Sequence, residues 1–161
     1  MKKLFVIAVF SFVLFLAEVA MFQIFGSWFK PSLLVLLVVY FNLKFGIRYG
    51  ILTSLICGIL SDSFGSGIFG VHVLSFIFCS YVLAAAKEYF LQFDALSFKL
   101  MLAGVFSALN IILIYFINSM FLRIDFSDVF IFIFLPEVAA TVAVSPFCFD
   151  YFRKCDSKLL N

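Results

Sequence analysis

The residues able to do chemistry are few and far apart. Three carboxylates, Glu18, Asp62 and Glu137, and one imidazole, His72, fall inside or beside long apolar runs. A carboxylate at mid-bilayer costs about 2.5–3.5 kcal/mol on insertion scales, so each of the three needs a polar partner or water. Asp62 and His72 are separated by a glycine-rich turn. They can pair across it, but an interfacial, solvated His72 is the arrangement the sequence favours, and Asp62 beside it can be wet in the same way. No nucleophile–base pair, HExxH, GxSxG or carboxylate dyad is present, so neither an enzyme nor a cofactor is expected. The four cysteines, Cys57, Cys79, Cys148 and Cys155, form no CxxC and have no nearby His. They read as small packing residues and not as a disulfide framework or a metal site. Gly65 to Gly70 matches GxGxxG in form, but a dinucleotide fingerprint needs a strand before it. Here the motif joins two apolar runs and reads as a turn opening a helix, whose free N–H groups suit an anionic headgroup.

The elements that position these groups follow from one stretch, residues 46–72. Gly46, Gly50, Ser54, Gly58 and Asp62 recur every fourth residue, and the next two steps land on Ser66 and Gly70. On a helix this spacing gives one face with almost no side-chain bulk, ending in a carboxylate. In water the interior glycines would weaken such a helix by about 0.8–1 kcal/mol each. In a membrane the same spacing lets two helix backbones touch. Composition agrees with a membrane. Hydrophobic residues make up 66% of the 161, charged residues 12%, and mean hydropathy is +1.24. That charged fraction is too low to cover a soluble domain. A net charge of +2 with no basic stripe argues against nucleic acid.

Six spans are expected in one integral membrane domain, 1–161. The first, Leu4–Phe25, mimics a signal peptide, but Glu18 and Phe15 occupy the positions where cleavage at Ala20 or Ala17 needs a small residue. It reads as a retained helix. Trp28 and Pro31 precede a short second helix, Ser32–Leu43, and a short third, Gly46–Leu60. Neither reaches the ~30 Å of a hydrocarbon core, so both read as shallow, broken or locally thinning the bilayer. Helix 4 is expected at Ile68–Ala86, then a polar connector, Lys87–Lys99. Helix 5 follows at Leu100–Phe121 and helix 6 at Val129–Phe149, with a polar tail. With both termini in the cytoplasm, nine of the eleven basic residues lie inside, and only Lys30 and Arg123 lie outside. Glu18, Asp62, Glu137 and Asn118 then fall in the outer half. They could line a polar cavity for a small ligand, form a socket for a partner's helix or Arg, or sit wetted at the interface.

Three blocks resemble the MreD family, small rod-shape-determining proteins of the bacterial inner membrane. They are Phe29-Lys30-Pro31-Ser32 before the apolar run Leu33–Leu37; Gly58-Ile-Leu-Ser-Asp62-Ser-Phe-Gly-Ser-Gly67-Ile-Phe-Gly70-Val-His72; and Pro146 with Phe147, Phe149 and Arg153. The departures are Ser32, where an acidic or amide residue is common, and Ser61, where the family is usually apolar. The resemblance implies a non-enzymatic scaffold of the cell-elongation complex, partner of MreC and, through the complex, of MreB, RodA and a penicillin-binding transpeptidase in lateral peptidoglycan synthesis. It also implies an all-α fold similar to the substrate-binding subunits of energy-coupling-factor transporters. The second functional reading is accordingly a small-molecule-binding subunit of such a transporter. The residues expected to meet a partner or ligand are Glu18, Pro31, Gly46, Gly50, Gly58, Asp62, Gly67, Gly70, His72 and Glu137.

Overall fold

A computed structural model describes residues 2–26, 31–64, 68–90, 96–122 and 128–159. Six helices account for nearly all of them: α1 Lys2–Phe25, α2 Leu33–Phe45, α3 Ile47–Phe64, α4 Val71–Phe90, α5 Leu96–Leu122 and α6 Asp128–Leu159. Of the residues singled out from the sequence, Trp28, Lys30, Ser66, Gly67 and Arg123 lie outside the described residues.

The order of helices matches expectation, and the differences are at their ends. α3 continues one turn past Leu60 to Phe64, with the Ser63 hydroxyl bonded back to the Ile59 carbonyl at 2.7 Å. Its 18 residues reach about 27 Å, closer to a span than the sequence suggested. α4 starts at Val71 and not at Ile68, because Gly70 takes φ +101°, outside the helical region. The connector expected over Lys87–Lys99 shrinks to residues 91–95, since α4 runs to Phe90 and α5 begins at Leu96. Polar residues there do not end the helices, and α6 likewise carries on through the polar tail to Leu159. Pro146 inside α6 cannot donate to the Val142 carbonyl four residues back. The Ser145 hydroxyl donates to it instead at 2.7 Å, which lets the helix continue.

α2 is the axis of the bundle. Every other helix packs on it, and Leu33 to Val39, Phe41 and Asn42 are all buried. That explains a short helix apolar on every side: it has no solvent or lipid face to signal. α3 joins α2 through Gly46 alone, whose φ of +85° turns the chain back on itself.

Around an apolar core, the exterior too is apolar, unlike a water-soluble protein's. Val9, Phe12, Val13 and Leu16 on α1, Leu74, Phe78 and Tyr81 on α4, and Val105, Ile112 and Phe116 on α5 are exposed. Ser11, Asn42, Thr53, Ser54, Ser75, Ser80, Asn110 and Thr141 are buried. Lipid is the solvent that accepts such a surface. Among the described residues, Ile7–Ile24 and Leu100–Met120 are long and apolar enough to cross a membrane, with shorter apolar helices at Leu33–Phe45 and Val71–Ala86.

Candidate functional site

The small-residue stripe of α3 lies against α4. A Cβ added at Gly58 would come within 2.5 Å of the Val73 Cα, so the two backbones are in contact there. At Gly50 it would meet the Asn42 amide and the Ser80 hydroxyl at 2.8 Å. Ser54, between them, is fully buried and bonds its hydroxyl to the Gly50 carbonyl at 2.8 Å. This close approach brings Asp62, one turn beyond Gly58, level with the start of α4.

There the Asp62 carboxylate caps a helix that is not its own. One oxygen accepts from the Gly70 N–H at 2.9 Å and the Val73 N–H at 3.2 Å. The other accepts from the His72 N–H at 3.1 Å and pairs with His72 Nδ1 at 2.8 Å. The first N–H groups of a helix have no partner within it, and its dipole favours negative charge at that end. Both needs are met by one carboxylate. Its side chain is 1% exposed, so Asp62 is not wet, and His72, 32% exposed, is paired and not simply solvated. Because the Asp62 oxygens accept, the ring donates through Nδ1. Left-handed backbone at Gly70 is what points its N–H back at α3.

Glu18 and Glu137 hold the start of α2, the first through a backbone N–H and the second through a side chain. Glu18 Oε2 accepts from the Leu34 N–H at 3.4 Å, and Glu137 Oε1 accepts from the Ser32 hydroxyl at 2.7 Å. The Ser32 N–H donates to Thr141 Oγ1 at 3.0 Å, and the Thr141 hydroxyl donates to the Glu137 carbonyl at 2.7 Å. Pro31, which opens this turn, is buried. α1 and α6 thus grip the start of the central helix from two sides. Ser32, noted above only as a departure from a family pattern, is the residue that links α2 to Glu137.

Two polar joints went unread in the sequence. Asn42 is fully buried and donates its amide to the Ser80 carbonyl at 2.7 Å and hydroxyl at 2.8 Å, tying α2 to α4 beside Gly50. Ser75 donates to the Asn110 side chain at 2.6 Å, tying α4 to α5. A lone Asn within SLLVLLVVYFNL was the signal available for the first.

The outer-half carboxylates therefore meet the chain's own helix starts, Asp62 and Glu18 through backbone N–H groups and Glu137 through the Ser32 hydroxyl. Asp62 also pairs with His72, and none of the three lines a groove of about 350 Å³ between α4 and α5, whose walls include Leu74, Ile77, Phe78, Leu113 and Ile117 with almost no polar surface.

A family model described as rod shape-determining protein MreD matches residues 1–155. The chain belongs to the MreD family. No curated protein and no solved structure matches it significantly. MreD membership gives the chain a role in rod-shape determination as a membrane protein, in a family not known for catalysis. The block holding Gly58, Asp62, Gly70 and His72, which carried the resemblance to MreD, is the block that closes α3 onto α4.

Proposed function

We propose that this protein is a non-enzymatic scaffold of the cell-elongation complex in the bacterial inner membrane, binding MreC and helping to organise lateral peptidoglycan synthesis. The match to MreD over residues 1–155 carries the reading. MreB, RodA and a penicillin-binding transpeptidase would be reached through the complex. All six helices cross the bilayer in this reading, as in energy-coupling-factor substrate-binding subunits, with both termini cytoplasmic. The charges support that orientation: Lys44, Arg48, Arg153 and Lys154 are exposed at one end, while Glu18, Asp62 and Glu137 sit toward the other. Basic residues stay inside.

The residues expected to meet a partner act, on this proposal, by building the outer end of the bundle to which MreC binds. Asp62 and His72 hold the α3–α4 edge of that end, and Glu18, Pro31 and Glu137 hold the start of α2. Gly58 and Gly70 serve it through close packing and a turn, while Gly46 and Gly50 join and pack α3 toward the opposite end; Gly67 lies outside the described residues. Affinity recovery of the full chain from mild detergent tests the reading, with MreC expected among the recovered proteins. Recovery of ATPase subunits in place of MreC would replace it with the transporter reading.

A further inference from the structure

Four cations lie where α2 ends and late in α6. Lys44 is in the last turn of α2, Arg48 in the first turn of α3, and Arg153 and Lys154 lie late in α6. Aromatic packing joins the two helices there. The Tyr40 ring meets Phe152 at 5.3 Å and Phe149 at 6.2 Å between centroids. Phe10 of α1 closes the cluster, 5.3 Å from Phe152, which is 1% exposed. The platform is therefore fixed on three helices.

Two cations flank Tyr40. Lys44 Nζ approaches its hydroxyl at 3.4 Å and lies 5.7 Å from the ring centroids of both Tyr40 and Phe45. Arg153 follows the buried Phe152 and lies one turn beyond Phe149 on α6, and both of those rings pack against Tyr40. The Arg153 side chain is 76% exposed and Lys44 is exposed too. Asp150, 3.5 Å from Arg153, is an acid beside them, while Glu18, Asp62 and Glu137 lie at the far end. Lys44, Arg48, Arg153 and Lys154 outnumber Asp150.

We propose that the cleft formed by Lys44, Tyr40 and Arg153 between α2 and α6 binds the phosphate of an anionic phospholipid headgroup. The ammonium, the phenol and the guanidinium offer charge-assisted donors to one phosphate, the guanidinium in a two-pronged geometry. Basic pockets between membrane helices on the cytoplasmic side take acidic headgroups in this way. The ring faces of Tyr40 and Phe45 under the cations suit a glycerol and the first methylenes of a lipid. A free phosphate has no use for them. The site requires a membrane around the protein but no particular protein partner, so its failure leaves the elongation-complex reading untouched.

Native mass spectrometry of the full chain from mild detergent tests this, with phosphatidylglycerol or phosphatidylcholine of the same acyl chains added. Phosphatidylglycerol should stay bound under activation that strips phosphatidylcholine. Lys44→Ala and Arg153→Ala should each lower its retention roughly fivefold, the weight of one basic residue near an anionic surface. Arg48→Ala, at the same end but beyond the Gly46 turn, should leave it unchanged. Equal retention of both lipids by the unaltered protein overturns the proposal without any variant. An Arg48→Ala loss as large as that of Lys44→Ala also overturns it, because it reports bulk charge and not a site. Displacement by millimolar inorganic phosphate would assign the cleft to a free anion. A Lys44→Ala/Arg153→Ala variant that keeps the lipid but loses a co-purifying protein would assign it to an acidic protein. Either outcome rejects the lipid.

Discussion

Asp62 near the end of α3 and His72 at the start of α4 meet at 2.8 Å between carboxylate oxygen and Nδ1. The same carboxylate holds the N–H groups of Gly70, His72 and Val73. One side chain thus closes a turn, caps a helix and fixes the orientation of an imidazole. The sequence left Asp62 open to another protein, to water or to His72; its partners are eight, ten and eleven residues away in its own chain.

Replacing Asp62 should act first on stability. Asp62→Ala strands buried donors at the start of α4, at about 1–3 kcal/mol for each group left without a partner. The thermal midpoint in detergent should fall, and protein levels in the membrane with it. Asp62→Asn keeps one acceptor but turns an NH₂ toward backbone donors, so it should lie between the two. An Ala variant with an unchanged midpoint would mean that the cap contributes nothing.

Gly58 should tolerate less than Gly50. A Cβ at Gly58 meets backbone, the Val73 Cα at 2.5 Å, and backbone cannot rotate away. At Gly50 it meets two side chains, Asn42 and Ser80, which can move at the expense of their hydrogen bond. Gly58→Ala should cost about 1–3 kcal/mol through overpacking, Gly50→Ala less, and Leu at either site more. Ile51→Leu, off the stripe, should be mild. Equal unfolding midpoints for the three single variants would show that α3 and α4 are not in backbone contact.

The buried Asn42–Ser80 joint can be weighed by a double-mutant cycle. Hydrogen bonds between membrane helices average about 0.6 kcal/mol and reach about 1.7. Asn42→Ala and Ser80→Ala should couple within that range, read from unfolding in detergent. Ser80→Ala leaves the carbonyl acceptor in place, so additive effects would mean that the 2.8 Å contact to the hydroxyl carries no net stability.

Orientation can be read with thiols. Cys57 and Cys79 are buried and Cys148 is half-buried, which leaves Cys155 near the end of α6 as the native reporter. A membrane-impermeant maleimide should miss Cys155 in intact spheroplasts and reach it after lysis. A cysteine introduced at Ser66 should behave oppositely. Labelling of Cys155 from outside would invert the topology.

The sequence alone determined that this is an all-helical chain with an apolar exterior, because runs of hydrophobic residues without charge can do little else. It also pointed to α3 as a close-packing helix, since small residues every fourth position define a face whatever lies opposite, and its motif blocks pointed to the MreD family. What lay opposite was a matter for the tertiary structure. The partners of Glu137 and Thr141 are more than a hundred residues away, at Ser32. Such contacts depend on how far each helix is rotated and shifted against its neighbours, which hydropathy does not encode. α2 shows the limit most plainly. Apolar but for Asn42 and Lys44, it read as a short helix, Ser32–Leu43, shallow, broken or thinning the bilayer, yet it is the buried axis on which the other five helices pack. A helix apolar on every side carries no signal of which neighbour covers each face, so only the assembled bundle could place it at the centre.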